Sequence, residues 1–345
     1  MVFWIKPMLF ELTDDLCTYQ LADKAKVIVG VTNLLIGYYE GNHLLVISDD
    51  FYNVFESEIS EERAKQALHY LYSYETYDYH VPVSYKIVLN DNCKRAELPI
   101  SYFLQTKSIQ PIHVLAENPN DVDFYAVVTK IIKNVDEDRL AYIPMHGSGY
   151  SMGSELTKLQ NSETLSLAIA DSDIKYPGGS VGATGGAVQT AYNHGKYVKL
   201  KIINVHEIEN LLPPRFIFER SKGEGKSIME KFIKLKLLDF LRYYDVKNGI
   251  SLNDITEPGY NTFAKDIYEH IYNVKKCTYD RYVKQCKKNN KKIHPIIKDD
   301  LIKKYLKLDF GNQNSYQIYF KGEWRGIADY FYQYTCSRVS EPIHI

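Results

Sequence analysis

The stretch IHVLAENPNDVDFYAVVTKIIKN, Ile112 to Asn134, runs from apolar residues into an acid, a Pro and then an amphipathic segment. IHVLAE predicts a strand that ends on Glu117. DVDFYAVVTKIIKN, with apolar residues at helical spacing, predicts the helix that follows. The pattern continues down the chain: LAYIPMH reads as a strand followed by a helix over SMGSELTKLQ. LSLAIADSD reads as a strand followed by a Gly-punctuated helix near Gly182 to His194, and YVKLKIINV as a last strand. Strands that alternate with helices predict a parallel sheet, because each crossover must return the chain to the same edge. Their nearly continuous apolar character fits, since parallel sheets are covered on both faces. Ligands of such sheets gather at the carboxyl ends of the strands. Glu117, His146, Asp171 and Asp173 stand at those ends.

Outward from this pattern, the chain divides into three parts. Residues 1–105 carry the strand-like runs KVIVGV (Lys26 to Val31), HLLVIS (His43 to Ser48) and VSYKIVL (Val83 to Leu89), with a helix from about Glu58 to Tyr72. They predict an N-terminal α/β domain without a motif. Residues 106–214 hold the regular sheet. Residues 215–345 predict a helical C-terminal region, first over KSIMEKFIKLKLLDFLRYY and then over FAKDIYEHIYNVKKCTYDRYVKQCKK.

Composition narrows the class. An apolar fraction of 45% and a charged fraction of 25% exclude a disordered chain, and a net charge of -1 removes any global pull toward nucleic acid or an anionic membrane. Five scattered cysteines without a C-x-x-C pair argue against a disulfide framework and fit a reducing cytoplasm. The opening MVFWIKPMLF is broken by Lys6 and Pro7 and does not read as a signal peptide. VIVGVTNLLIGYY is shorter than the roughly 20 residues a bilayer span needs, so no membrane association is expected.

Three acids brought to one edge of a parallel sheet repel one another unless a cation neutralises them. Hard oxygen donors select Mg²⁺ or Mn²⁺. In DSD, an extended chain places Asp171 and Asp173 on one side and Ser172 on the other, so both acids address one ion. Each acid also has a plainer reading: Glu117 as a charge at a helix N-terminus, DSD as a turn. The pairing of the two strand ends is what favours a site.

These residues resemble the TOPRIM domain of topoisomerases, primases and OLD-type nucleases. That pattern has a Glu after the first strand, a glycine-rich turn after the second and Asp-x-Asp after the third. Here the positions read LAENPND with Glu117, MHGSG with Gly147 and Gly149, and IADSD with Asp171 and Asp173. The resemblance covers about residues 111–210. Asn118 and Pro119 stand where the pattern usually has a small Gly. VHEIENLLPP (Val205 to Pro214) resembles the Glu-Asn element of the OLD-like, phage-defence-associated type, which implies Glu209 as a further metal ligand, with Glu207 as its substitute. The alternative for Glu209 is an exposed acid on a short helix. For the whole, the resemblance implies a Mg²⁺- or Mn²⁺-dependent nuclease. Glu117, Asp171, Asp173 and Glu209 would hold metal, Glu117 would assist proton transfer, and Lys175 would neutralise the scissile phosphate. A partner ATPase or sensor protein is implied for this type as well.

Two motifs fail on inspection. SKGEGKS (Ser221 to Ser227) has Arg220 where a phosphate-binding P-loop needs its first Gly, and reads instead as a linker that opens a helix. DSDIKYPGG lacks the third acid or amide and the Gly of a calcium loop. The segment Lys275 to Lys304 contains 11 Lys or Arg against 3 acids, with Tyr279 and Tyr282 interleaved. Lys284, Lys287, Lys288, Lys291 and Lys292 are the expected contacts to a DNA or RNA backbone, with the tyrosines stacking on bases; a solvated helix face is the alternative. Two rival functions remain beside the nuclease. One is a catalytically idle nucleic-acid or protein-binding module, the other a Mg²⁺-dependent phosphohydrolase of small substrates.

Overall fold

The computed structural model describes residues 9–74, 84–135, 140–250, 257–272, 279–281, 283–284, 295–297 and 300–335. Two four-stranded parallel sheets, both flanked by helices, make up an α/β fold. The first contains β1 (Leu9–Leu12), β2 (Leu44–Val46), β3 (Tyr85–Val88) and β4 (Glu97–Pro99), in the order β2-β1-β3-β4. The second contains β5 (Ile112–Ala116), β6 (Tyr142–His146), β7 (Ser166–Ala170) and β8 (Val198–Ile202), in the order β6-β5-β7-β8. In both, the first strand lies second in the sheet.

The first sheet departs from the sequence reading at KVIVGV, which is helical. Helix α1 (Lys24–Tyr39) buries Val27, Val31, Leu34, Leu35 and Tyr38, a helical face, against the sheet. Its β-branched run favours a strand, but packing of that face decides the outcome. Gly30 lets α1 approach the turn at Ile100, whose side chain would stand 2.7 Å from a Cβ at that position. Helices α2 (Asp49–Phe55) and α3 (Glu62–Tyr74) complete this half. Ser48 caps α2 by accepting from the Phe51 amide at 3.1 Å, and Asp49 and Asp50 lie in its first turn.

In the second sheet the predicted strand and helix alternation is present. Helices α5 (Met152–Asn161) and α6 (Ala183–Ala191) cover one face through Met152, Leu156, Leu159 and Val188. Helix α4 (Pro119–Lys133) covers the other. Strand β5 lies between β6 and β7, in register from Ile112 opposite Tyr142 to Ala116 opposite His146. The carboxyl ends of β5, β6 and β7 therefore share one edge.

After Pro213 come α7 (Pro214–Arg220), α8 (Gly223–Lys234), α9 (Leu238–Leu241), α10 (Pro258–Tyr272), α11 (Leu301–Leu306), α12 (Phe310–Ser315) and α13 (Lys321–Thr335). The single helix expected over KSIMEKFIKLKLLDFLRYY is interrupted between α8 and α9, where Lys236 adopts a left-handed φ of 57°. SKGEGKS opens α8 directly after α7, without the preceding strand a P-loop requires. Helix α13 packs on α4: Trp324 is fully buried, meets Phe124 edge-on at 5.7 Å and donates from Nε1 to the Leu211 carbonyl at 2.9 Å. One continuous apolar core consequently extends from Leu9 to Tyr334. Among the described residues, no helix is long and apolar enough to cross a membrane.

Candidate metal centre

The Asn and Pro that follow Glu117 start a helix. Asn118 accepts from the Asn120 amide at 3.1 Å, and its own amide donates to Asp121 at 3.1 Å, a reciprocal box with Pro119 in the first turn of α4. The start of α4 thereby carries Glu117 and Asp121 to the edge of the sheet. Asp121 is 8% exposed, much less than a capping acid on a solvated helix.

Beyond β7 the chain does not stay extended. Asp173 has a left-handed φ of 52°, so the expected alternation of Asp171 and Asp173 onto one side does not hold. Ser172 is buried, its hydroxyl donating to the Val205 carbonyl at 2.5 Å. Asp173 accepts from the Thr184 amide at 2.7 Å, at the start of α6. Gly182 allows this turn to close, because a Cβ there would stand 2.5 Å from the Asp173 Cβ. Asp171 alone of the pair lines the acidic cavity at this edge.

That cavity holds about 290 Å³ and is lined by Glu117, Asp121, Asp171, Glu207, Glu209 and Asp300, with Lys247 as its cation. Lys247 Nζ lies 2.7 Å from Glu209 Oε1 and 3.9 Å from Glu207 Oε2. Lys175 is half-buried in the loop after Asp173 and does not line the cavity. His146 is exposed at the end of β6. Glu209 is 3% exposed, against the exposed-acid alternative, and both Glu207 and Glu209 occupy the same wall.

Sequence reasoning missed Asp121, Asp300, Lys247, His206 and Asp245. Asp121 had a readable signal, an acid three residues past a capping Asn. Lys247 and Asp245 had none, because a buried amide sets their place. Asn210 is fully buried and donates from Nδ2 to the carbonyls of Leu241 at 2.5 Å and Tyr244 at 2.6 Å. The His206 amide adds a bond to the Arg242 carbonyl at 2.7 Å. Residues 204–210 and 241–245 are thus tied together, and the turn that follows delivers Lys247.

The electrostatics follow from burial. Burial, then Asp121, Glu209 and Glu117, raise the Asp171 carboxyl well above the ordinary carboxylate range. Burial with Glu209 and Glu117 pushes Asp121 up to about 7. Burial with Asp245 pushes Glu207 up to about 7. Glu117 is raised by burial and by Asp173. Burial opposes the charge on Lys247, but Glu209 and Glu207 outweigh it and raise its pKa. Among the described residues a single ammonium faces six acids, and Glu207 Oε2 and Glu209 Oε2 are buried without a hydrogen-bond partner, so the all-oxygen wall fits a hard divalent cation.

A wider cleft of about 490 Å³ lies at the corresponding edge of the first sheet, beside Glu11, Asp14 and Asp49. There two of the acids are engaged: Ser48 donates to Asp14 at 2.5 Å, and Lys86 pairs with Glu11 at 3.1 Å.

Among the described residues, the group whose three ligand atoms lie within 4.8 Å of one another is His206, Glu207 and Asp245. It is not the expected set of Glu117, Asp171, Asp173 and Glu209.

In the basic segment Lys284 is exposed, while Lys287, Lys288, Lys291, Lys292 and Tyr282 lie outside the described residues. Tyr279 is 1% exposed and packs on Tyr268 at 5.4 Å, so it does not offer a face for base stacking.

The fold and the cavity together define an α/β protein with a buried acidic site at a parallel sheet edge. No family model matches the chain, and neither the comparison with curated proteins nor that with solved structures gives a match.

Proposed function

We propose that the chain is a Mg²⁺- or Mn²⁺-dependent nuclease with a TOPRIM-like second sheet, acting on phosphodiester bonds in DNA or RNA. The observation that carries this reading is the convergence of buried Asp171, Asp121 and Glu209 from three chain segments on one cavity beside Lys247. Glu117, Asp171 and Glu209 are the proposed ligands, with Asp121 supporting them. Asp173 serves the start of α6 and acts on Glu117 through its charge. A bound divalent ion supplies charge for the phosphate oxygens and makes a coordinated water acidic.

The chain's own groups divide the remaining work. Glu117 is half-buried at the end of β5, so its carboxylate could hold the ion through one oxygen and take a proton from the attacking water through the other. Lys247 provides the fixed positive charge near the reacting phosphate, in the role the sequence reading gave to Lys175. The exposed Lys284 and its neighbours in the basic segment would hold the nucleic-acid backbone away from the cavity. An antiphage defence or toxin role, beside an ATPase or sensor partner, extends the same resemblance.

One observation favours the idle-module reading: Lys247 already neutralises part of the acid wall, as an ion-free structural cluster would require. Cleavage assays on plasmid, single-stranded DNA and RNA separate the two. Mg²⁺-dependent cleavage that is abolished by chelator, by Asp171→Asn and by Glu117→Gln supports the nuclease. Wild-type activity in either variant removes that acid from the site, and inactivity on all three substrates supports the idle module.

A further inference from the structure

His206, Glu207 and Asp245 have the makings of a site with a different chemistry from the all-oxygen cavity. The His206 side chain is 7% exposed, and its Nδ1 is buried without a hydrogen-bond partner among the described residues. Its Nε2 faces Asp245 Oδ2 at 3.9 Å, an ion pair when the imidazole is protonated and one that a bound metal would replace. That separation is longer than a hydrogen bond of about 2.7–3.2 Å. It matches the roughly 3–4 Å between two donors that each bind one ion at about 2.0–2.2 Å. Glu207 supplies a third donor within the same 4.8 Å; its Oε2 is buried without a hydrogen-bond partner among the described residues, with Lys247 Nζ 3.9 Å away.

The backbone places these side chains independently of any ion. The His206 amide donates to the Arg242 carbonyl at 2.7 Å, and its carbonyl accepts from the Asp173 amide at 2.9 Å. Asp245 accepts from the Asn248 amide at 2.5 Å, next to the Tyr244 carbonyl that Asn210 holds at 2.6 Å. The ligands therefore come from two segments that are already tied, a preorganised arrangement that lowers the cost of binding.

One imidazole nitrogen with two carboxylate oxygens is a borderline donor set. It suits Zn²⁺ or Mn²⁺ better than Mg²⁺, which keeps to oxygen. We propose that His206, Glu207 and Asp245 bind one transition-metal ion of the Zn²⁺ or Mn²⁺ class, distinct from the ion held by Asp171 and Glu117. Glu207, which also lines the acidic cavity, stands on the boundary between the two positions. The ion staples residues 206–207 to the turn that carries Lys247. The proposal does not depend on nuclease activity, since an idle module would hold the ion equally.

The test uses the full chain, stripped with chelator and then held in excess Mg²⁺ while Zn²⁺ is titrated calorimetrically. One Zn²⁺ per chain is expected, with affinity weakened roughly tenfold or more in His206→Gln and in Asp245→Asn and retained in Asp171→Asn. With Mn²⁺ as the probe, pulsed EPR should show an imidazole nitrogen coupling in the wild type that His206→Gln removes. The His206 side chain donates no hydrogen bond at Nδ1, so His206→Gln should keep the fold, which circular dichroism checks; Asp245→Asn gives a second, independent variant. Stoichiometric Zn²⁺ at wild-type affinity in both variants would place the ion on other histidines and overturn the proposal. So would two Mn²⁺ bound per wild-type chain with no nitrogen coupling from either. Neither result bears on cleavage, and loss of Mg²⁺-dependent cleavage in Asp171→Asn leaves the Zn²⁺ result standing.

Discussion

Replacing Asp121 by Asn removes one buried charge and leaves its structural work in place, because an amide oxygen still accepts from the Asn118 backbone. Burial and the neighbouring Glu209 and Glu117 hold the Asp121 carboxyl at about 7, against about 3.8 when it is free in solution. The native state therefore binds this proton more tightly than the unfolded chain. Stability is fully present below about pH 4 and falls as the pH rises through about 7. The complete loss is about 4 kcal/mol, of which about 2.5 kcal/mol falls between pH 5 and pH 8. Urea unfolding in chelator at those two pH values measures it. The wild type should lose about 2 kcal/mol more than Asp121→Asn between pH 5 and pH 8, and saturating Mg²⁺ should flatten the wild-type slope by favouring ionised ligands. Equal slopes for the two proteins in chelator would refute the reasoning, since the acids would then not be competing for protons.

Three further outcomes follow from the same geometry. Lys247→Met should destabilise the chelated protein at pH 8 by about 1–3 kcal/mol, a range reduced because Lys247 is 39% exposed, and Mg²⁺ should restore most of it; thermal scans with and without the ion decide. Asn210→Ala takes the side-chain donor from the Tyr244 carbonyl, leaves the Leu241 carbonyl with only the Tyr244 amide at 3.3 Å, and should cost about 1–3 kcal/mol in urea unfolding, with cleavage lost as the Lys247 turn shifts. Replacing Lys284, Lys287, Lys288, Lys291 and Lys292 by Gln should weaken nucleic-acid binding across sequences and reduce the slope of log K against log salt by about 0.7–0.9 for each phosphate no longer neutralised. An unchanged slope returns that segment to a solvated helix face.

The second sheet was legible because apolar runs of five residues separated by amphipathic helices have few other solutions. β5, β6, β7 and β8 each fall within the runs that announced them. The first sheet was harder. β1 is four residues long and follows a Pro-containing stretch, and the valines of KVIVGV belong to the buried face of a helix. In the site, acids at strand ends were readable because the strands were. What Asp173 does was not, since its left-handed backbone depends on the close approach of Gly182. Lys247 and Asp245 lie well beyond the sheet in sequence, brought back by two bonds from one amide. No periodicity announces such a contact.

The seating of Trp324 against Leu211 and Phe124 sets an order on the making of the protein. A chain grows from the ribosome at about 5–20 residues per second, and domains fold as they emerge. The acids of β5, β7 and residues 207–209 leave the ribosome well before Lys247 and longer still before Trp324. During that interval the nascent sheet carries its carboxylates without their ammonium, and the outer face of α4 is bare of α13. A prematurely terminated product ending near residue 240 keeps Glu117, Asp171 and Glu209 and lacks the cation that balances them. Full assembly of the centre thus waits until Trp324 has emerged.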